Sequence, residues 1–243
     1  VFAQSVAGSG KPRYSEGVLV NVRGEITASG KYGRAIFVQA EENGTKPSNV
    51  NSGGVAHIVV NQGAVVQTTH AESREAIGFL GGRVEYGSNN LLGHSNLLEN
   101  SGRIYSPAVA IATDNKASLR IRNSGKIVGR LALGGSGTKD VVNNEGGEIW
   151  FGGSDLGTDD RSRFVNSGLI KSGWANDTRS FTIKGAGLFQ QTETGRVKFD
   201  VKPQGETLTN GQAVIAFDTI KLAGSFKPNF VTNPDFVSGD TRT

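Results

Sequence analysis

Asn123-Ser124-Gly125-Lys126-Ile127 is a phrase that returns along this chain. It recurs as Asn61-Gln62-Gly63-Ala64-Val65, Asn100-Ser101-Gly102-Arg103-Ile104, Asn144-Glu145-Gly146-Gly147-Glu148-Ile149 and Asn166-Ser167-Gly168-Leu169-Ile170. The Asn positions 100, 123, 144 and 166 differ by 23, 21 and 22. A period near 22 with one short strand signal per turn marks a stacked repeat.

Around these phrases the apolar residues alternate, as in Val18-Val20-Val22, Ile58-Val60, Leu119-Ile121, Ile149-Phe151, Phe181-Ile183 and Val197-Phe199-Val201. Period two is the mark of a strand with one buried face. Hairpins also alternate, but a near-constant return to the same chemistry in the same order fits a coil better. The reading is an all-β, right-handed parallel β-helix in which equivalent residues stack about 4.8 Å apart. Ile104, Ile127, Ile149 and Ile170 are then one inward column, and Asn100, Asn123, Asn144 and Asn166 one stacked corner of side-chain amides. Gly and Asn in the turns are expected to supply left-handed backbone. The step of 39 from Asn61 to Asn100 fits two coils with one weak repeat, or one coil plus a loop. Coils are expected over 1–180, with extruded loops near 41–54, 86–96 and 152–163. After Trp174 the Asn-x-Gly anchor disappears, and 181–243 reads as a β-rich C-terminal cap covering the open end.

Composition supports a repeat and narrows the chemistry. Glycine is 35 of 243 residues, about twice its usual share, and proline only 6. There is no cysteine, hence no disulfide framework, thiolate metal site or thiol nucleophile. Methionine is also absent, which leads to the expectation of a processed or excised piece. Val1-Phe2-Ala3-Gln4 then reads either as a signal-cleavage scar or as a cut within a longer chain. No apolar run approaches a membrane span. The net charge of +4 and pI of about 9.4 lean mildly toward anionic partners.

Several stretches carry a family likeness. They are Asn123 to Gly129, Leu131-Ala132-Leu133-Gly134-Gly135-Ser136-Gly137, Asp140-Val141-Val142-Asn143-Asn144, Asp155 to Asp160, and Phe164-Val165-Asn166-Ser167-Gly168. They resemble the β-helical passenger domains of bacterial autotransporters, the type V secretion pathway. Gly187-Leu188-Phe189-Gln190-Gln191, Gly195-Arg196-Val197 and Leu222-Ala223-Gly224-Ser225-Phe226 are similar to the segment that closes such passengers. The likeness is good over 98–228 and loose over 18–97. It implies a secreted or surface-displayed passenger, an outer-membrane barrel elsewhere in the precursor, and an autochaperone-like role for the closing segment.

Candidate chemistry is sparse. His57, His70 and His94 are the only histidines and lack metal-pair spacing. Asp159-Asp160 could suggest a sugar-cleaving carboxylate pair, but adjacent strand residues point to opposite faces, so Asp159 reads as a turn residue. Gly152-Gly153-Ser154-Asp155 is one imperfect copy of a calcium-binding repeat that needs tandem copies. Trp150 and Trp174 read as packing residues. Asn43-Gly44-Thr45 and Asn176-Asp177-Thr178 match the glycosylation sequon.

The stretch 116–139 holds six cations and no acid. Within it Arg120, Arg122, Lys126 and Arg130 form the candidate site for an anionic ligand, expected on neighbouring coils. The expected function is non-enzymatic, in adhesion, cell–cell self-association or host-protein binding, at the bacterial cell surface or secreted. No cofactor, metal or catalytic residue is expected. Partners are a host glycan or protein, or another copy, and nucleic acid is not expected. A polysaccharide-active β-helix enzyme and a purely structural stalk are the alternatives.

Overall fold

The computed structural model describes residues 1–7, 17–42, 55–81, 95–151, 153–172, 181–201 and 213–230. Among them there is no helix, and so no helix that could cross a membrane. The chain is a parallel β-helix. Its first wall, face a, stacks β2 (Val18–Val22), β5 (Ala56–Val60), β8 (Asn96–Asn100), β10 (Leu119–Asn123), β12 (Lys139–Asn143), β15 (Arg163–Asn166), β18 (Leu188–Gln191) and β21 (Thr219–Lys221). Face b comes next, after a tight turn. It holds β3 (Glu25–Ala28), β6 (Val65–Thr68), the first half of β9 (Arg103–Thr113) and of β11 (Lys126–Ala132), then β13 (Glu148–Phe151), β16 (Leu169–Ser172), β19 (Arg196–Val201) and β22 (Ser225–Phe230). Face c comprises β1 (Phe2–Ala7), β4 (Ile36–Glu42), β7 (Glu75–Gly81), the second halves of β9 and β11, β14 (Ser154–Asp155), β17 (Phe181–Lys184) and β20 (Ala213–Ala216). β9 and β11 run through the corner between b and c, which joins these two walls into one 14-stranded sheet beside the 8-stranded face a.

The alternation in sequence becomes columns in space. Face b buries Val66, Ile104, Ile127, Ile149, Ile170 and Val197 in direct register, each 0 % exposed. Face a stacks Ile58, Leu98, Ile121, Val141, Phe164 and Phe189 in the same way. Burying each such side chain is worth about 1.5–3 kcal/mol, and the columns meet in one continuous core. On face c Ser154 stands between Leu131 and Ile183, and its buried hydroxyl has no partner.

At the a–b corner the amide ladder exists, with one register correction. Asn100 donates through Nδ2 to Asn123 Oδ1 at 2.7 Å, Asn123 to Asn143 at 2.8 Å, and Asn143 to Asn166 at 2.8 Å. Asn166 then donates to Gln191 Oε1 at 3.4 Å. The second amide hydrogen of Asn123 reaches the carbonyl of Glu148 on the next coil at 3.1 Å. Asn144, expected in the ladder, lies one residue outside it and donates to Ser124 Oγ at 2.9 Å. The reason is the turn. Asn100, Asn123 and Asn166 are followed by a two-residue Ser-Gly turn, whereas Asn143 is followed by four residues, Asn144-Glu145-Gly146-Gly147. Asn61 begins the same kind of four-residue turn, so Val60 takes the ladder position beneath Asn100. Asn100 Oδ1 is accordingly buried and unpartnered.

Two roles of turn glycine separate here. Gly146, in the long turn, does adopt a left-handed φ of 82°. Gly125, in the short turn, does not; a Cβ there would run into the backbone carbonyl of Gly102 on the coil before. Short-turn glycine is therefore a requirement of coil stacking rather than of handed backbone.

Of the first two expected loops, residues 43–54 and 86–94 lie outside the described residues, while 41–42 close β4 and Asn96 opens β8. β5 pairs directly with β8, so the step of 39 is one coil plus an insertion. The expected loop at 152–163 is instead wall and corner from 153 onward. Ser154 and Asp155 pair with Leu131 and Ala132 on one side and with Ile183 and Lys184 on the other, and Leu156 is fully buried. A two-residue strand is too short to show alternation, which hid it in the sequence. The described residues of the C-terminal segment, 181–201 and 213–230, form the same coils. β17 to β22 continue all three walls in parallel register, and Phe164, Phe189 and Phe217 stack at 5.7 Å ring spacing. The last coil leaves Ile220, Leu222 and Phe226 partly uncovered.

Candidate functional site

The four cations chosen from the sequence all lie on one coil, not on neighbouring ones. Arg120 and Arg122 project from β10 on face a, Lys126 opens β11 on face b, and Arg130 follows the corner residue Gly129 onto face c. A linear run of charge in the chain is wound around the helix, so the four are spread over three walls. Two of them already have acidic neighbours. Arg120 lies 3.7 Å from Asp140, whose carboxylate also takes two hydrogen bonds from Arg163 at 2.7 and 2.9 Å. That hydrogen-bonded carboxylate raises the Arg163 guanidinium above its ordinary value. Lys126 pairs with Glu148 at 3.3 Å. Arg122 and Arg130 are exposed.

Across the coils a different set converges. The outward positions of face b, read from one strand to the next, are Arg103 and Tyr105, Lys126 and Val128, Glu148 and Trp150, Leu169 and Lys171, Arg196 and Lys198, Ser225 and Lys227. Lys171, Lys198 and Lys227 are direct register partners in one column, with Arg196 beside Lys198. Trp150 is held by two ammoniums, Lys126 Nζ 3.3 Å from its ring centroid and Lys171 Nζ 4.7 Å away, one from the coil before and one from the coil after. Arg103 lies over Tyr105 at 5.3 Å. Aromatic and basic residues are thus interleaved in space although they are far apart in sequence. The signal was present at a fixed offset: the first and third residues after each turn point outward on this wall. It appears only when the coils are aligned with their unequal turns.

The remaining candidates resolve into structural pairs. His57 Nε2 meets Glu99 Oε2 at 2.8 Å on face a. His70 Nδ1 accepts the Glu72 N–H at 3.0 Å in a corner turn. His94, Trp174 and both sequons lie outside the described residues. Asp159 is a turn residue: it accepts from Thr138 Oγ1 at 2.7 Å and from the Arg161 N–H at 3.0 Å, and it is ion-paired with Arg161. Asp155 accepts the Gly157 N–H at 2.9 Å and pairs with Lys184 at 3.0 Å. Partial burial pushes the Asp155 carboxyl up, and these two partners more than offset it, leaving it below its usual value. Among the described residues no three His, Asp or Glu side chains converge as a metal site.

One buried charge escaped sequence reasoning. Lys139 points inward at the start of β12, is 0 % exposed, and donates through Nζ to the carbonyls of Ala117 at 2.7 Å and Gly137 at 2.8 Å. Burial pushes its pKa down to about 8, against the opposing pull of Asp114 and Asp159. No protein-family model matches the chain, and neither a curated protein nor a solved structure matches it.

Proposed function

We propose that the chain is a non-enzymatic passenger of the autotransporter type, secreted or displayed on a bacterial surface, that works by binding at its outer wall. Adhesion to a host glycan or protein, or self-association between cells, is the activity this reading assigns. The observation that carries it is the ordering of outward side chains. Every coil repeats one plan, so exposed residues fall into straight ladders along a rigid rod, a form suited to extended or repetitive partners. Inward positions carry packed aliphatic columns and an amide ladder. Asp159, the acidic residue with the best claim to sugar chemistry, is tied to Thr138 and Arg161. The resemblance in the repeat phrases supplies the export route and an outer-membrane barrel as partner in the precursor.

The test is binding by the purified chain. Labelled protein is offered to host-type epithelial cells and to bacteria displaying the same chain, and its self-association is followed by sedimentation. Saturable binding to either cell type, or reversible self-association, is the expected result. Absence of all three would sink the reading in favour of a stalk that only displays another domain.

A further inference from the structure

We propose that the C-terminal half of face b is a docking surface for a linear sulfated polysaccharide, centred on Lys171, Arg196, Lys198 and Lys227; this rests on the surface-binding function proposed above and names its ligand.

The charges stand in a line. Lys171, Lys198 and Lys227 occupy one column on three successive coils, with Arg196 alongside. Adjacent coils are about 4.8 Å apart, so four cations fall within about 10 Å of helix axis. Among the described residues none of the four is paired with a carboxylate. The other walls behave differently. On face a Arg120, Asp140 and Arg163 alternate in sign across successive coils, and on face c Lys184 pairs with Asp155. Like charges directly opposite one another on neighbouring strands oppose pairing. The fold gains nothing from stacking three lysines, and neighbouring walls show how this chain neutralises charge where stability alone is served.

An aromatic ring supports the line. Trp150 is engaged by Lys126 and Lys171 from the coils on either side. The ring steers the Lys171 ammonium back along the wall, extending the cationic line toward Lys126. With the ring so occupied, the face offers charge rather than a free stacking platform, which disfavours single-stranded nucleic acid. A line of closely spaced cations along a straight rod matches a linear polyanion carrying several charges per sugar better than a lipid headgroup. Recognition is electrostatic, by guanidinium and ammonium groups against sulfates, with the Arg196 fork suited to bidentate contact.

The experiment compares two variants of equal charge. One carries Lys171→Gln, Arg196→Gln, Lys198→Gln and Lys227→Gln. The other carries Arg23→Gln, Arg74→Gln, Lys116→Gln and Lys221→Gln, all exposed and away from this stretch. Each takes the formal net charge from +4 to 0. The probe is heparin, by column elution and titration at 0.1 M salt. The first variant should lose about tenfold or more in affinity and the second stay within about twofold of the parent. Parent binding should also weaken steeply with salt, as the Debye length falls from about 10 Å at 0.1 M to about 3 Å at 1 M. The melting temperature of the first variant should stay level or rise. Should that variant fail to fold, Lys198→Glu alone must still lower the elution salt.

Equal losses in both variants would overturn the site, since net charge alone would then explain retention. So would equal or tighter binding of fully desulfated heparin, of a single-stranded oligonucleotide or of phosphatidylserine vesicles. A parent that binds cells but not heparin overturns the polyanion and leaves surface binding standing. A parent that binds neither overturns both.

Discussion

Asn143 and Asn144 are chemically identical neighbours in opposite situations. Asn143 is fully buried, accepts from Asn123 and donates to Asn166, both at 2.8 Å. Asn144 makes one exposed contact to Ser124. Asn143→Ala strands a donor on one side and an acceptor on the other, and the expected cost is about 2–4 kcal/mol. Asn144→Ala should stay within about 0.5 kcal/mol. Chemical denaturation of the two variants checks this, and equal effects would refute the ladder register. Lys139 gives a pH signature. Its folded pKa is about 8 and its ordinary value 10.5. Below pH 8 both folded and unfolded chains carry its proton, and the burial penalty is present in full. Between 8 and 10.5 the folded chain has released the proton and the unfolded chain still binds it, so stability rises with pH. The gain attributable to Lys139 is at most about 3 kcal/mol. Denaturation midpoints from pH 7.5 to 10.5 should therefore climb in the parent relative to Lys139→Met. A constant difference between the two proteins across that range would contradict it.

At the level of the element, the turn after a strand decides where the next one lies. Apart from β21, which stops one residue short, face a strands end at the ladder position, and the turn then takes either two residues or four before face b begins. The short turn needs glycine because the coil beneath passes so close: a Cβ on Gly125 meets the Gly102 carbonyl. The long turn uses Gly146 at φ 82° to return the chain to the same register. Both solutions deliver the next residue, Lys126 or Glu148, to the same outward position. This keeps Ile127 on Ile149 and sets Val128 against Trp150. The cationic column exists because unequal turns preserve equal faces. Strand β14 shows the opposite limit. Its two residues carry no periodicity of their own, and pairing on both sides makes them wall.

Along the whole rod the coils differ in how they are held. The buried amide ladder begins at Asn100 and runs to Gln191; the earlier coils carry Val22 and Val60 at the same position, with only an exposed bond from Asn61 to Asn21 beside it. The Phe164–Phe189–Phe217 stack lies at the C-terminal end as well. In a one-dimensional stack, stability is a sum of coil and interface terms. Removing 181–243 breaks the stronger interfaces and bares Phe164 and Ile170, while removing 1–54 exposes an interface without the ladder. The C-terminal truncation should therefore lower the melting temperature and refolding yield more than the N-terminal one. Equal losses would argue against the gradient. The sequence by itself determined the architecture: alternation sets the strands, and a spacing near 22 sets the return, because a buried column favours apolar residues at the same place in each coil. The inward Ile column was legible for that reason. Tertiary structure alone decided which of two adjacent Asn residues enters the ladder, that 153–163 is wall and corner, that Lys139 is buried, and which cations share a face. Those outcomes depend on turn length summed over several coils. A shift of one residue turns a side chain from core to solvent, so neighbours across the stack, about 20 to 40 residues apart in the chain, are set only once every turn has closed.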